Sequence, residues 1–272
     1  MSHQVLLNRL KLAYDGRLVK IPTRLISDEY GFSLAPEGWH YFRSLAAEFE
    51  HNPEIRLEDT IFFKFFQHEK IKSVRYVNDL LFLHNPNKSS QVGNFNFYFS
   101  MCPWGDWSKG CSFSGVFQPW GYYHDLIEGK MTRDLFGYRK NIWYEPSDRY
   151  PLEQEFYYFK YIYNSIKNRG YSPVWFGDLP AVVLFVRCNG EWLAVKHDGH
   201  HRLTVLSHLG YDKVTVSISP ESIGVVREAE VEQWYYVKRG LCTTEQALEI
   251  FNAYFELNGR ERLQYLGLPS VY

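Results

Sequence analysis

Cysteine and methionine are scarce in this chain, with four Cys and three Met among 272 residues. Cys102, Cys111, Cys188 and Cys242 are scattered with no C-x-x-C pair, so neither a zinc site nor a dense disulfide framework is indicated. A reduced, intracellular protein is the simplest reading. Long apolar runs are missing as well: no window approaches the roughly 18 uninterrupted apolar residues of a membrane span. The stretch Met1 to Leu12 interleaves His3, Gln4, Asn8, Arg9 and Lys11 with its leucines, which argues against a signal peptide. A cytoplasmic location without a membrane span is therefore expected. Nor is there an excess of charge of either sign, since 30 Lys and Arg face 31 Asp and Glu for a net charge of -1. No general field exists to recruit DNA, RNA or an anionic membrane, which counts against a nucleic-acid partner.

What is present is aromatic side chain, 18% of the residues, including eight Trp and twenty-one Tyr. Most must fill a core. Flat faces with a polar edge also make walls for sugars and bases. With 45% hydrophobic and 22% charged residues, the chain has the balance of an ordinary folded protein.

Residues 1–95 read as an N-terminal mixed α/β region of unknown role. Trp39, Phe42, Leu45, Ala46 and Phe49 share one helical stripe, predicting a helix from Pro36 to Glu50 that Asn52-Pro53 ends. A second helix is expected from Leu57 to His68, with Glu58 and Asp59 in its first turn, and a strand from Val74 to Leu83. The polar cluster Asn85 to Ser90 marks the boundary. Residues 96–220 form the next unit and 221–272 a C-terminal helical extension packed on the core. Between Phe95 and Ile142 the pattern is of loops, rich in Gly, Trp, Tyr and Pro. Trp104, Trp107 and Trp120 in those loops are candidates either for packing between subdomains or for a stacking wall that binds a ring-shaped substrate.

Periodicity sharpens after Tyr150. Leu152, Phe156, Phe159, Tyr163 and Ile166 recur at helical spacing, with Lys167, Arg169 and Gly170 closing a helix of about 17 residues. Ala181 to Arg187, the turn Asn189-Gly190 and Glu191 to Lys196 make a β-hairpin. A helix from His200 to His208 stops at Gly210, and Lys213 to Ser217 alternates as a strand. Thr243-x-x-Gln246 opens a final helix from Thr244 to Leu257.

The chemistry concentrates at Asp198-Gly199-His200-His201-Arg202, where a strand turns into a helix. Such a turn presents backbone N–H groups and the positive end of the helix dipole at one point, and Arg202 adds a planar fork suited to phosphate oxygens. Gly199 lets backbone approach a ligand with no Cβ in the way. This is an anion-holding turn. A metal reading groups His197, His200, His201 and His208 with Asp198, though Gly199 prevents one continuous helix from presenting His197 and His201 together. In a purely structural reading, Asp198 caps the helix and the histidines satisfy backbone groups.

The arrangement resembles the ParB/sulfiredoxin-like superfamily, whose strand leads into a Gly-x-x-Arg turn and a helix ending in Leu-Gly. Gly199-His200-His201-Arg202-Leu203, Leu209-Gly210 and Val214-Thr215-Val216 carry it, with Ser165-Ile166 to Gly170 ahead of the hairpin. The resemblance covers about Asn141 to Ser219 and implies an α+β fold, a ParB/sulfiredoxin-like mixed sheet with helices, across 96–220. Sulfiredoxins place their nucleophilic cysteine where this chain has His200, which excludes that chemistry. Free-serine kinases share Asp-Gly-His-His-Arg and look closest. That likeness implies a kinase using ATP or ADP with Mg²⁺, in which Gly199, His200, His201 and Arg202 hold phosphates and Glu145, Asp198 and His200 are catalytic. Asp198 would also ligate the metal. The extra N-terminal residues and Trp104, Trp107 and Trp120 point to an acceptor other than serine, a small molecule such as a sugar or glycan. Two alternatives remain: a ParB-type nuclease or nucleotide-gated DNA binder, and a non-catalytic nucleotide-binding protein.

Overall fold

A computed structural model describes residues 16–28, 31–68, 149–172, 179–218, 224–238, 240 and 243–270. The architecture is mixed α+β. Its strands are β1 (Leu18–Pro22), β2 (Ile26–Ser27), β3 (Ala181–Val186), β4 (Trp192–Asp198), β5 (Lys213–Ile218) and β6 (Val225–Arg227). The helices are α1 (Tyr41–His51), α2 (Ile61–Gln67), α3 (Arg149–Arg169), α4 (His200–His208), α5 (Tyr235–Lys238), α6 (Thr244–Glu256) and α7 (Arg260–Leu266).

One six-stranded sheet orders these strands β1-β5-β3-β4-β2. The hairpin forms as its Asn-Gly turn predicts, with Val183 opposite Val195 and Val186 opposite Trp192. β5 and then β6 run parallel along the remaining edge of β3, at Ala181–Val182 and Leu184–Val186 respectively. β1 lies antiparallel to β5 and β2 parallel to β4, so residues 18–27 sit in the same sheet as the hairpin. A single core runs from Ile21 through Phe42 and Phe159 to Phe251. Phe185 of β3 meets Phe251 and Tyr254 of α6 at centroid distances of 5.3 and 5.0 Å, seating α6 on the sheet.

Helix boundaries follow caps more closely than apolar periodicity does. The expected helix from Pro36 begins instead at Tyr41, because the Gly38 N–H donates to the Ala35 carbonyl in a tight turn and His40 caps the helix, its Nδ1 accepting from the Phe42 N–H at 3.1 Å. Gly38 fits there only without a side chain, since a Cβ would come within 2.7 Å of Ser33 Cβ. The second expected helix divides into a 3₁₀ turn, Leu57–Asp59, and α2, which Thr60 caps through the Phe63 N–H. At the C-terminal end the capping box of Thr243 and Gln246 opens α6 as the sequence pattern indicates. β1, β2, β6, α5 and α7 are not individually legible in the sequence. The expected strand Val74–Leu83 lies outside the described residues. Among the described residues, no helix is long and apolar enough to cross a membrane.

Glu48 links α1 to α2. Its Oε1 accepts from the Ile61 N–H at 2.9 Å, while Oε2 is buried without a hydrogen-bond partner among the described residues. Burial pushes the carboxyl up to about 7, outweighing the Ile61 N–H and Lys64, which favour the charged form. In an unfolded chain the group ionises near the ordinary glutamate value, so between these two pH values the native state binds more protons. Stability should therefore fall as pH rises from about 4.5 to 7 and level off above that. With solvent screening of the partly exposed group, the loss is about 1–2 kcal/mol. Urea unfolding of wild type and Glu48→Gln at the two ends of this window checks this: the variant should lose that part of the slope, and identical slopes would contradict it.

Candidate functional site

β4 is buried through Lys196, and the chain turns at Gly199 with φ 80° and ψ 27°. The left-handed turn starts α4 at once, with no side-chain cap on its first turn. Asp198, exposed, uses Oδ1 to accept its neighbour's Gly199 N–H at 2.6 Å and sets Oδ2 3.8 Å from Arg202 Nη2. Glycine here has an internal reason as well. A Cβ at position 199 would meet Pro180 Cβ at 2.9 Å and Arg202 Nη2 at 3.0 Å, so the glycine makes room for Pro180 and the guanidinium of Arg202.

His200 and His201 lie side by side, ring centroids 3.9 Å apart. Phe42 backs both, stacked on His200 at 5.4 Å and edge-on to His201 at 4.6 Å. His201 Nε2 is 2.8 Å from Glu155 Oε2 of α3, and the Tyr158 ring closes on it at 5.1 Å. The His200 carbonyl accepts the Thr204 hydroxyl at 2.7 Å.

Around this pair the fold gathers further ionisable groups. Lys196 of β4 and Arg202 of α4 are both buried, at 8% exposure each. His40, buried at the start of α1, is held 3.4 Å from Asp28 Oδ2, and Asp28 in turn accepts the Phe32 N–H at 2.9 Å and the Tyr41 hydroxyl at 3.4 Å. Loss of water around His200 lowers its pKa well below the usual histidine value, and His201, Lys196, His40 and Arg202 lower it further. Desolvation also lowers His40, overcoming the hydrogen bond and charge of Asp28. The neutral form is therefore favoured for both His200 and His40.

Of the residues predicted from the sequence, Asp198, Gly199, His200, His201 and Arg202 share this turn. Glu145, Trp104, Trp107 and Trp120 lie outside the described residues. The metal grouping of His197, His200, His201 and His208 with Asp198 is not the one the fold makes. His208 stands at the far end of α4 and pairs with Glu50 at 3.1 Å. The ligand-bearing group that does form among the described residues is Glu155, His200 and His201, with donor atoms within 4.8 Å of one another. Glu155, Lys196 and His40 are not among the site residues expected from the sequence, and Phe42 is expected there only as part of a helical apolar stripe. Two of them left a signal there: Glu155 stands one turn before Phe159 at the edge of an apolar stripe, and Lys196 interrupts the apolar run of β4.

No family model, curated protein or solved structure matches the chain. The site's own geometry and chemistry carry the functional reading.

Proposed function

We propose that the protein is a nucleotide-dependent phosphotransferase with a ParB/sulfiredoxin-like fold, acting on the hydroxyl of a small molecule, with a sugar or glycan as the favoured class. The observation that carries this is the convergence of Lys196, Arg202, His40, His200 and His201 on the start of α4, a helix N-terminus opened by a left-handed glycine. Every charged group that lowers His200 is a cation or can become one, which supports an anion beside Lys196 and Arg202, with the Glu155 carboxylate set against His201. A guanidinium and an ammonium suit phosphate oxygens, and the imidazoles add hydrogen bonds.

ATP or ADP would place its phosphates along Gly199 to Arg202. Asp198 offers an exposed carboxylate beside Arg202, which fits Mg²⁺, an ion usually held by one or two carboxylates together with phosphate oxygens. Bound there, Mg²⁺ would neutralise phosphate charge. Glu145 or Asp198 would accept the proton of the acceptor hydroxyl, and Trp104, Trp107 and Trp120 would line the acceptor side.

Calorimetric titration with ATP and ADP in the presence of Mg²⁺, followed by phosphotransfer assays on amino acids, sugars and glycans, tests this. Arg202→Ala should weaken nucleotide binding by about 10- to 100-fold, the value of one or two charge-assisted hydrogen bonds. Glu145→Gln should lower turnover while leaving nucleotide affinity unchanged. No nucleotide binding by wild type, or equal affinity in wild type and Arg202→Ala, removes the kinase reading.

A further inference from the structure

We propose that Glu155, His200 and His201 form a binding site for a divalent transition-metal ion of the zinc class. Two imidazole nitrogens and one carboxylate oxygen, from two packed helices, lie within 4.8 Å of one another. Zinc–ligand distances of about 2.1 Å place ligand atoms about 3.4 Å apart, so modest side-chain rotation closes the set around an ion. The 2.8 Å contact of Glu155 with His201 Nε2 and the 3.9 Å approach of the two rings already hold most of that geometry.

Several features make this a prepared site. Neighbouring residues of a helix ordinarily diverge, yet His200 and His201 come together at the start of α4 against the shared Phe42 wall. Phe159 packs on Phe42 one turn beyond Glu155 on the same helix, which fixes α3 at this point. Rigid helices supplying buried backing to a small donor set are what a metal site needs. The donor chemistry selects the ion, since imidazole with one carboxylate suits zinc and its neighbours, whereas Mg²⁺ prefers an all-oxygen shell. Three protein ligands leave a fourth position open, and nearby Lys196 and Arg202 would favour an anion there, such as hydroxide or a phosphate oxygen.

This inference shares His200 and His201 with the nucleotide reading but is tested apart from it, because its test contains no nucleotide and Arg202 is not among the three ligands. The full-length protein, stripped with chelator, is titrated calorimetrically with Zn²⁺ and, by visible absorption, with Co²⁺. Wild type should bind one ion, and Glu155→Gln should weaken Zn²⁺ affinity at least about 100-fold, beyond what loss of an outer-shell partner costs. His201→Gln should do the same, which keeps the test sound if one variant fails to fold, while His208→Asn should bind as wild type does. Mg²⁺ at equal concentration should not compete. Equal Zn²⁺ affinity in wild type and folded Glu155→Gln, no Zn²⁺ binding by wild type, or displacement of Co²⁺ by Mg²⁺ would overturn the proposal.

Discussion

Phe42→Ala should destabilise the protein by about 3–5 kcal/mol, the cost of emptying a large aromatic site in a close-packed core. Phe42 is 1% exposed and stacks on Phe62 and Phe159 at 5.2 and 4.8 Å. It also backs His200 and His201, so one ring holds α1, α2, α3 and the start of α4 together. The cavity cannot collapse easily, because the neighbours on every side are rings already packed against others. Urea unfolding measures the loss directly, and a change below about 1 kcal/mol would show that the cluster repacks. Phe42→Leu should cost less and leave the protein folded for ligand titrations. In that variant the two imidazoles lose their flat support, so Zn²⁺ affinity should fall even though no ligand atom has changed.

The second large effect is at Gly199. Gly199→Ala combines a left-handed conformation, costing an L residue about 1–2 kcal/mol, with contacts no rotation can relieve. The added Cβ meets Pro180 Cα at 3.0 Å and Cβ at 2.9 Å, part of a rigid ring beside the hairpin. It also meets Arg202 Nη2 at 3.0 Å. A total of about 3 kcal/mol is expected, together with weaker nucleotide binding through displacement of the guanidinium. Gly210→Ala separates the two causes, since Gly210 has φ 79° and nothing within 4 Å of an added Cβ. It should lose only the conformational part. Equal unfolding midpoints for the two variants would mean that crowding by Pro180 and Arg202 contributes nothing.

The sequence by itself determined the local pieces whose causes lie within a few residues. The Asn189-Gly190 hairpin, the Thr243–Gln246 capping box, the apolar stripe of α3 and the turn from Asp198 into α4 are of this kind. Each follows from backbone preference, a side chain bonding a neighbouring amide, or an apolar period. Boundaries that depend on distant groups did not follow. α1 starts at Tyr41 because of the turn ahead of it and the His40 cap, and β1, β2 and β6 are short segments that become strands only by pairing with β5, β4 and β3.

The same division runs through the site. Asp198 to Arg202 stood out as an anion-holding turn because five consecutive residues carry that pattern. Lys196, two residues before Asp198 on β4, is near the turn by sequence, but tertiary structure alone brought His40 and Phe42 around it and set Glu155, 45 positions before His200 (200 − 155), against the imidazoles. It also gave Gly199 an internal role, room for Pro180 and Arg202. The physical reason is range: hydrogen bonds to adjacent amides and helix-dipole effects are encoded locally, whereas desolvation and metal-ligand geometry depend on which helices pack together.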